Sequence, residues 1–108
     1  MSYKIGRIGE EKAKNFLKEI GFVILEANYH SRFGEIDIIA QKDDVLHFVE
    51  VKYSQGSFEP INNITSKKLK KIVLTIDTYN KNNLSYQLDI ILIKKSEIEF
   101  LENVTFDL

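Results

Sequence analysis

The sequence contains no cysteine, which excludes disulfides, thiolate metal centres and a cysteine nucleophile at once. Histidine is nearly as scarce. His30 and His47 are the two present, too few for a histidine-based zinc centre without help from carboxylates. A metal site here must therefore be built mainly from oxygen ligands, which points to Mg²⁺ or Mn²⁺. Long apolar runs are also missing, and no stretch approaches the length of a membrane span. The opening residues, Met1-Ser2-Tyr3-Lys4-Ile5-Gly6, lack the apolar core of a signal peptide, so a cytoplasmic protein is expected. Charge of one sign is not in excess either. The formal net charge is −1, so the molecule as a whole is not a polycation seeking nucleic acid.

What is present fits one globular domain spanning residues 1–108, with 44% hydrophobic and 29% charged residues. The charges are unevenly placed. Lys67, Lys68, Lys70 and Lys71 form a basic cluster, whereas Glu97, Glu99, Glu102 and Asp107 make the C-terminal end acidic. A local phosphate-binding face is compatible with that asymmetry, as is an ordinary solvated helix face.

Ile5, Ile8, Ala13, Phe16, Leu17 and Ile20 recur at helical spacing. Gly21 is a natural stop for that helix. Strands are expected at Phe22 to Tyr29, Gly34 to Gln41 and Val45 to Tyr53, with Asp43-Asp44 as a hairpin turn between the last two. Ser54 to Asn63, with Gly56 and Pro60, reads as a loop. A second helix starts near Thr65 or Ser66 and carries the stripe Leu69, Ile72, Val73, Ile76 and Tyr79. Strands at Leu88 to Ile93 and Ile98 to Leu101 complete an α-β-β-β-α-β-β order. That order implies an α/β domain with a mixed sheet of about five strands and flanking helices. The first three strands should form an antiparallel meander, and the fourth should return parallel through a right-handed crossover.

The chemistry concentrates on the second hairpin. Alternation puts Glu35, Asp37 and Ile39 on one face, and Leu46, Phe48, Glu50 and Lys52 on one face of the next strand. A two-residue turn at Asp43-Asp44 sets Asp37 opposite Glu50 and Glu35 opposite Lys52. Opposed carboxylates about 4 Å apart repel by roughly 4 kcal/mol at an effective dielectric of 20. A proton, Lys52 or a metal cation must relieve that repulsion. A Mg²⁺ bridging Asp37 and Glu50, completed by a carbonyl such as that of Val51 and by waters, would do so. The other reading is an exposed hairpin face with Glu35–Lys52 as a cross-strand ion pair. Glu10 falls at the border of the first helix's apolar stripe, where it could add a ligand or simply complement the helix dipole. Lys68 borders the stripe of the second helix and is the lysine best placed to touch a phosphate. His47 should project from the face opposite Glu50 and is read as structural.

Together these residues resemble a known family. Ile8-Gly9-Glu10, Gly21-Phe22, Asn28-Tyr29, Arg32 to Ala40 (RFGEIDIIA) and Phe48 to Lys52 (FVEVK) are similar to the bacterial YraN family, which is described as endonuclease-like. The similarity continues through Ile64-Thr65, Lys68, Ile72, Tyr79 and Leu88 to Ile91. It implies a restriction-endonuclease-type fold, related to Holliday-junction resolvases, with a PD-(D/E)xK site. On that resemblance Asp37 and Glu50 would hold the metal, Lys52 would orient or help deprotonate the attacking water, and Glu10 would complete the site. Lys68 and Arg32 would meet the nucleic acid. The implied activity is metal-dependent hydrolysis of phosphodiester bonds in DNA, branched or single-stranded, with RNA left open and a homodimer suggested by analogy. This chain has His30, Ser54 and Gln87 where the family often has arginine, so it has fewer bidentate phosphate contacts. A non-catalytic nucleic-acid-binding or partner-binding module retaining the fold is the alternative.

Overall fold

Helix α1 (Ser2–Glu19) is followed by strands β1 (Val23–Ser31), β2 (Gly34–Lys42) and β3 (Val45–Ser54), helix α2 (Ser66–Tyr79), and strands β4 (Tyr86–Lys94) and β5 (Glu97–Leu101). This is the expected order, in a computed structural model that describes residues 2–54, 66–95 and 97–104. The expected loop beyond Ser54, the candidate cap Thr65 and the side chain of Ile5 lie outside the described residues. The strands form one sheet in the order β1-β2-β3-β4-β5. Neighbours are antiparallel except β3 and β4, which run parallel in continuous register from Leu46↔Tyr86 to Ser54↔Lys94. The parallel pair is where α2 makes its crossover, because parallel neighbours cannot be joined by a tight turn.

Each sheet face buries against one helix. On the α1 side, Ala13 and Leu17 pack with Phe22, Ile38, Ala40, Val49, Ile91 and Ile93. On the α2 side, Ile76 packs with Ile36, Ile39, Leu46, Phe48 and Leu88, flanked by Leu69, Ile72 and Tyr79. With a helix on each face, β4 is apolar nearly throughout, as a strand covered on both sides must be. The apolar stripe of α1 is shorter than its periodicity suggests. Ile8 and Ile20 are 47% and 37% exposed, whereas Ala13 and Leu17 are fully buried. Among the described residues no helix is long and apolar enough to cross a membrane.

Two turns fix the geometry around the site. At the end of α1, Phe22 N–H donates to Leu17 O (2.9 Å) and Gly21 N–H to Lys18 O (3.1 Å), with Gly21 at φ +99°. This is a Schellman closure, which needs a left-handed residue. Gly21→Ala is expected to cost about 1–2 kcal/mol and to lower the midpoint of a thermal melt by roughly 4–8 °C per kcal/mol. In the β2–β3 hairpin, Asp43 and Asp44 both take positive φ (52° and 64°). Such a primed turn matches the strand twist, and it pairs Lys42 with Val45 as expected.

The side of the sheet opposite Glu50 holds a buried polar tie. His47 Nδ1 lies 2.6 Å from Asp89 Oδ2. The other carboxylate oxygen of Asp89 accepts from Gln87 Nε2 (2.8 Å) and from the Asn103 backbone N–H (2.9 Å). Phe22 meets the His47 ring edge-to-face. The expectation that His47 is structural agrees with this arrangement: its ring nitrogen joins β3 to β4, and Asp89 also holds the chain leaving β5.

Candidate active site

The β2–β3 ladder runs from Lys42↔Val45 to Ile38↔Val49. Continuing that register sets Asp37 opposite Glu50, but the backbone pairing ends one residue short of them. The facing of β2 also slips at this point. Ile36 and Ile39 both belong to the α2-side core while Ile38 lies on the α1 side, whereas strict alternation would separate Ile36 from Ile39. The partner strand is irregular at the same level. Asn28 sits between the pairs Ala27↔Ile38 and Tyr29↔Ile36 and takes φ +54°, a conformation asparagine tolerates better than most residues.

This slip corrects two expectations. Glu35, Asp37 and Ile39 do not form a simple single-face row, because alternation does not survive Asp37. Glu35 does not oppose Lys52 in a ladder; its cross-strand neighbour is His30, with His30 Nε2 3.7 Å from Glu35 Oε1. Glu35 and Lys52 nevertheless line the same cleft.

Where the ladder stops, side chains replace it. Asp37 Oδ2 accepts the backbone N–H of Val51 at 2.8 Å, a donor that a continued ladder would have directed to backbone. Glu50 projects beside it, and among the described residues its buried Oε1 has no hydrogen-bond partner. Burial pushes the Asp37 carboxyl up to about 6, opposed by the Val51 N–H and reinforced by the charges of Glu10 and Glu35. Burial and then the charge of Asp37 push Glu50 up to about 8, opposed by Lys52 and by the Asp37 backbone. An acceptor-only oxygen with no donor, next to a second carboxylate, is costly to leave ionised. The pair therefore holds a proton near neutrality unless a cation takes its place. A hard divalent cation fits this donor set, since it supplies the positive charge that the orphaned oxygen lacks.

Glu10 comes near but is engaged elsewhere. Its Oε1 accepts from Asn28 Nδ2 at 3.0 Å, so Asn28 holds the α1 carboxylate at the level of the slip. Among the described residues, no three histidine or carboxylate side chains stand close enough together to share one ion. Val51 meets Asp37 through its backbone N–H, its side chain lying with the α1-side core.

A cleft of about 210 Å³ opens on the α2 side of Glu50, lined also by Phe33, Lys52, Lys68 and Lys71. Lys68 is placed there as its position on the helix implies, and it is exposed. Lys71 was missed. It follows Lys68 by three residues and so shares its face, a spacing that could have flagged it. Arg32, at the β1–β2 turn, is exposed and lies over the Phe33 ring, 4.9 Å from its centroid. Thr75 was also missed. It is buried in α2, bonds Ser31 Oγ at 2.9 Å and donates to Lys71 O. With the Tyr29–Thr78 bond of 2.7 Å, it holds the helix against β1 beside the cleft.

Residues 9–93 match the model of an uncharacterised protein family, UPF0102. The chain is 54% identical over 107 residues to a UPF0102 protein of Nitratiruptor, covering 96% of this chain and 95% of the relative. It is 51% identical to one of Campylobacter jejuni over 108 residues, covering 97% and 96% of the two chains. A relative from Campylobacter lari is 47% identical over 107 residues, with 96% of each chain covered.

Proposed function

The chain belongs to the uncharacterised protein family UPF0102, and we propose that it is a metal-dependent nuclease hydrolysing phosphodiester bonds in DNA, branched or single-stranded. The observation that supports this reading is the buried Oε1 of Glu50, without a donor among the described residues, beside Asp37 and lining a cleft with three lysines. Asp37 and Glu50 would hold Mg²⁺ or Mn²⁺ with the Val51 carbonyl as a further oxygen donor, and Glu10 would join them only on leaving Asn28. When bound, such an ion polarises a phosphoryl oxygen and makes water a better nucleophile near neutral pH.

The chain's own residues supply the rest. Lys52 Nζ donates to the attacking water and orients it toward phosphorus. The Val51 N–H fixes Asp37 Oδ2 and so holds that carboxylate in place beside Glu50. Lys68 and Arg32 bind the strand's phosphates and set its register.

A second reading, a non-catalytic nucleic-acid-binding or partner-binding module with this fold, has one observation in its favour. Glu10 is tied to Asn28, and among the described residues no group of three ligands is assembled. The two readings separate in one assay. Purified protein with Mg²⁺ or Mn²⁺ is given labelled linear, flap and four-way DNA, with RNA alongside. Cleavage is expected, and Lys52→Ala should slow it by about 100-fold or more with binding retained. Cleavage that Lys52→Ala leaves untouched would mark a contaminant. Salt-sensitive binding without cleavage would favour the second reading.

A further inference from the structure

The cleft beside Glu50 brings two unlike groups together. Lys52 from β3 and Lys68 and Lys71 from α2 give it a lysine wall, Phe33 at the β1–β2 turn adds an aromatic ring, and Glu35 and Ile72 line it as well. The ring is half-buried, and Arg32 lies over it. A duplex presents phosphates to a protein but keeps its bases stacked inside, so an aromatic ring flanking a phosphate track has nothing to stack on. An unpaired strand presents both at once: charge along the backbone and a free π-face on every base.

We propose that the cleft takes an unpaired nucleic-acid strand, with a base stacked on Phe33 and the adjacent phosphates along Lys52, Lys68 and Lys71. This rests on the nuclease reading of the same site and names its substrate class. Arg32 is positioned to extend the stack, since a guanidinium plane over an aromatic ring stacks on bases as readily as it pairs with phosphate. Phe33 is then a specificity residue: it selects unpaired over paired substrate and leaves the hydrolytic groups alone. The ring accepts any base, so little sequence preference is expected. The lysine wall makes binding weaken with salt.

The test is binding in EDTA, where hydrolysis is silent. Fluorescence anisotropy is followed with a labelled oligothymidine of about twenty nucleotides, the matching single-stranded RNA and a duplex of equal length. The single strand should bind at least tenfold more tightly than the duplex at equal salt. Phe33→Ala and Phe33→Leu should each weaken single-strand binding by about tenfold, leave duplex binding within about twofold, and Phe33→Tyr should restore it. A 2-aminopurine placed within the strand should be quenched by the wild-type protein and not by Phe33→Leu. Equal DNA and RNA affinities would mean that the shared backbone and bases are read; a gap between them would assign the sugar a role within the same groove. Duplex binding as tight as single-strand binding, or Phe33→Leu matching wild type on the single strand, would overturn the proposal. Phe33-dependent single-strand binding in a protein that shows no metal-dependent cleavage would sink the nuclease reading alone.

Discussion

Glu50→Gln is expected to abolish cleavage while making the metal-free protein more stable at pH 9. The two effects have one cause. Glu50 is held in a site where its ionised form is unfavourable, by burial first and by the neighbouring Asp37 second. Glutamine keeps the shape and cannot ionise, so the repulsion with Asp37 disappears. A gain of about 2 kcal/mol at pH 9 is reasonable for removing a buried like-charge contact, which would raise the melting midpoint by several degrees. The same change removes one of the two carboxylates proposed to hold the cation. Loss of about 4 kcal/mol of transition-state stabilisation corresponds to roughly a thousandfold fall in rate. Differential scanning calorimetry in EDTA and the cleavage assay with Mg²⁺ read the two arms. Cleavage within tenfold of wild type would remove Glu50 from the catalytic centre. A destabilised Glu50→Gln protein at pH 9 would mean that its carboxylate is satisfied and not strained.

The stability of the metal-free protein should fall as pH rises from about 4 to about 8. The folded protein holds protons on Asp37 up to about 6 and on Glu50 up to about 8, against ordinary values of 3.8 and 4.5. Across that window the folded state binds more protons than the unfolded chain, so stability decreases with pH. The contribution is complete below the ordinary values and lost as pH passes the raised ones. Each such group contributes at most ~1.4 kcal/mol per pH unit. Mg²⁺ should act in the opposite sense. It competes with protons for the pair, so its stabilisation should be large at pH 8 and small at pH 5. Melts in EDTA and in millimolar Mg²⁺ across this range test both halves, and Glu50→Gln should flatten the upper part of the slope. A midpoint that is level or rising from pH 5 to 8 in EDTA would show that the pair does not store its protons as described.

Much of the architecture was legible because it rests on local rules. Helical periodicity located α1 and α2. Asp43-Asp44 announced the hairpin turn, and that turn set the register from Lys42↔Val45 to Ile38↔Val49. The even spacing of Glu50 and Lys52 put both on the cleft side of β3, and the odd position of His47 put it on the other.

The site itself was legible as composition, and its form was not. Asp37 and Glu50 were expected as an ordinary cross-strand pair, with Glu35 and Lys52 as the next. Alternation of period two holds only while the backbone ladder continues, and whether it continues depends on residues distant in sequence. Asn28, 18 residues from Glu10, turns left-handed and takes hold of that carboxylate. Asp37 takes the Val51 N–H across 14 residues. Lys71 and Phe33 enter the cleft because Thr75, Thr78, Ser31 and Tyr29 hold α2 against β1. Which acidic residues stand on the second hairpin was therefore decided by the sequence alone. The proton they hold, the oxygen left without a donor among the described residues and the lysines facing them were decided by the tertiary structure, because desolvation and long-range hydrogen bonding have no period to read.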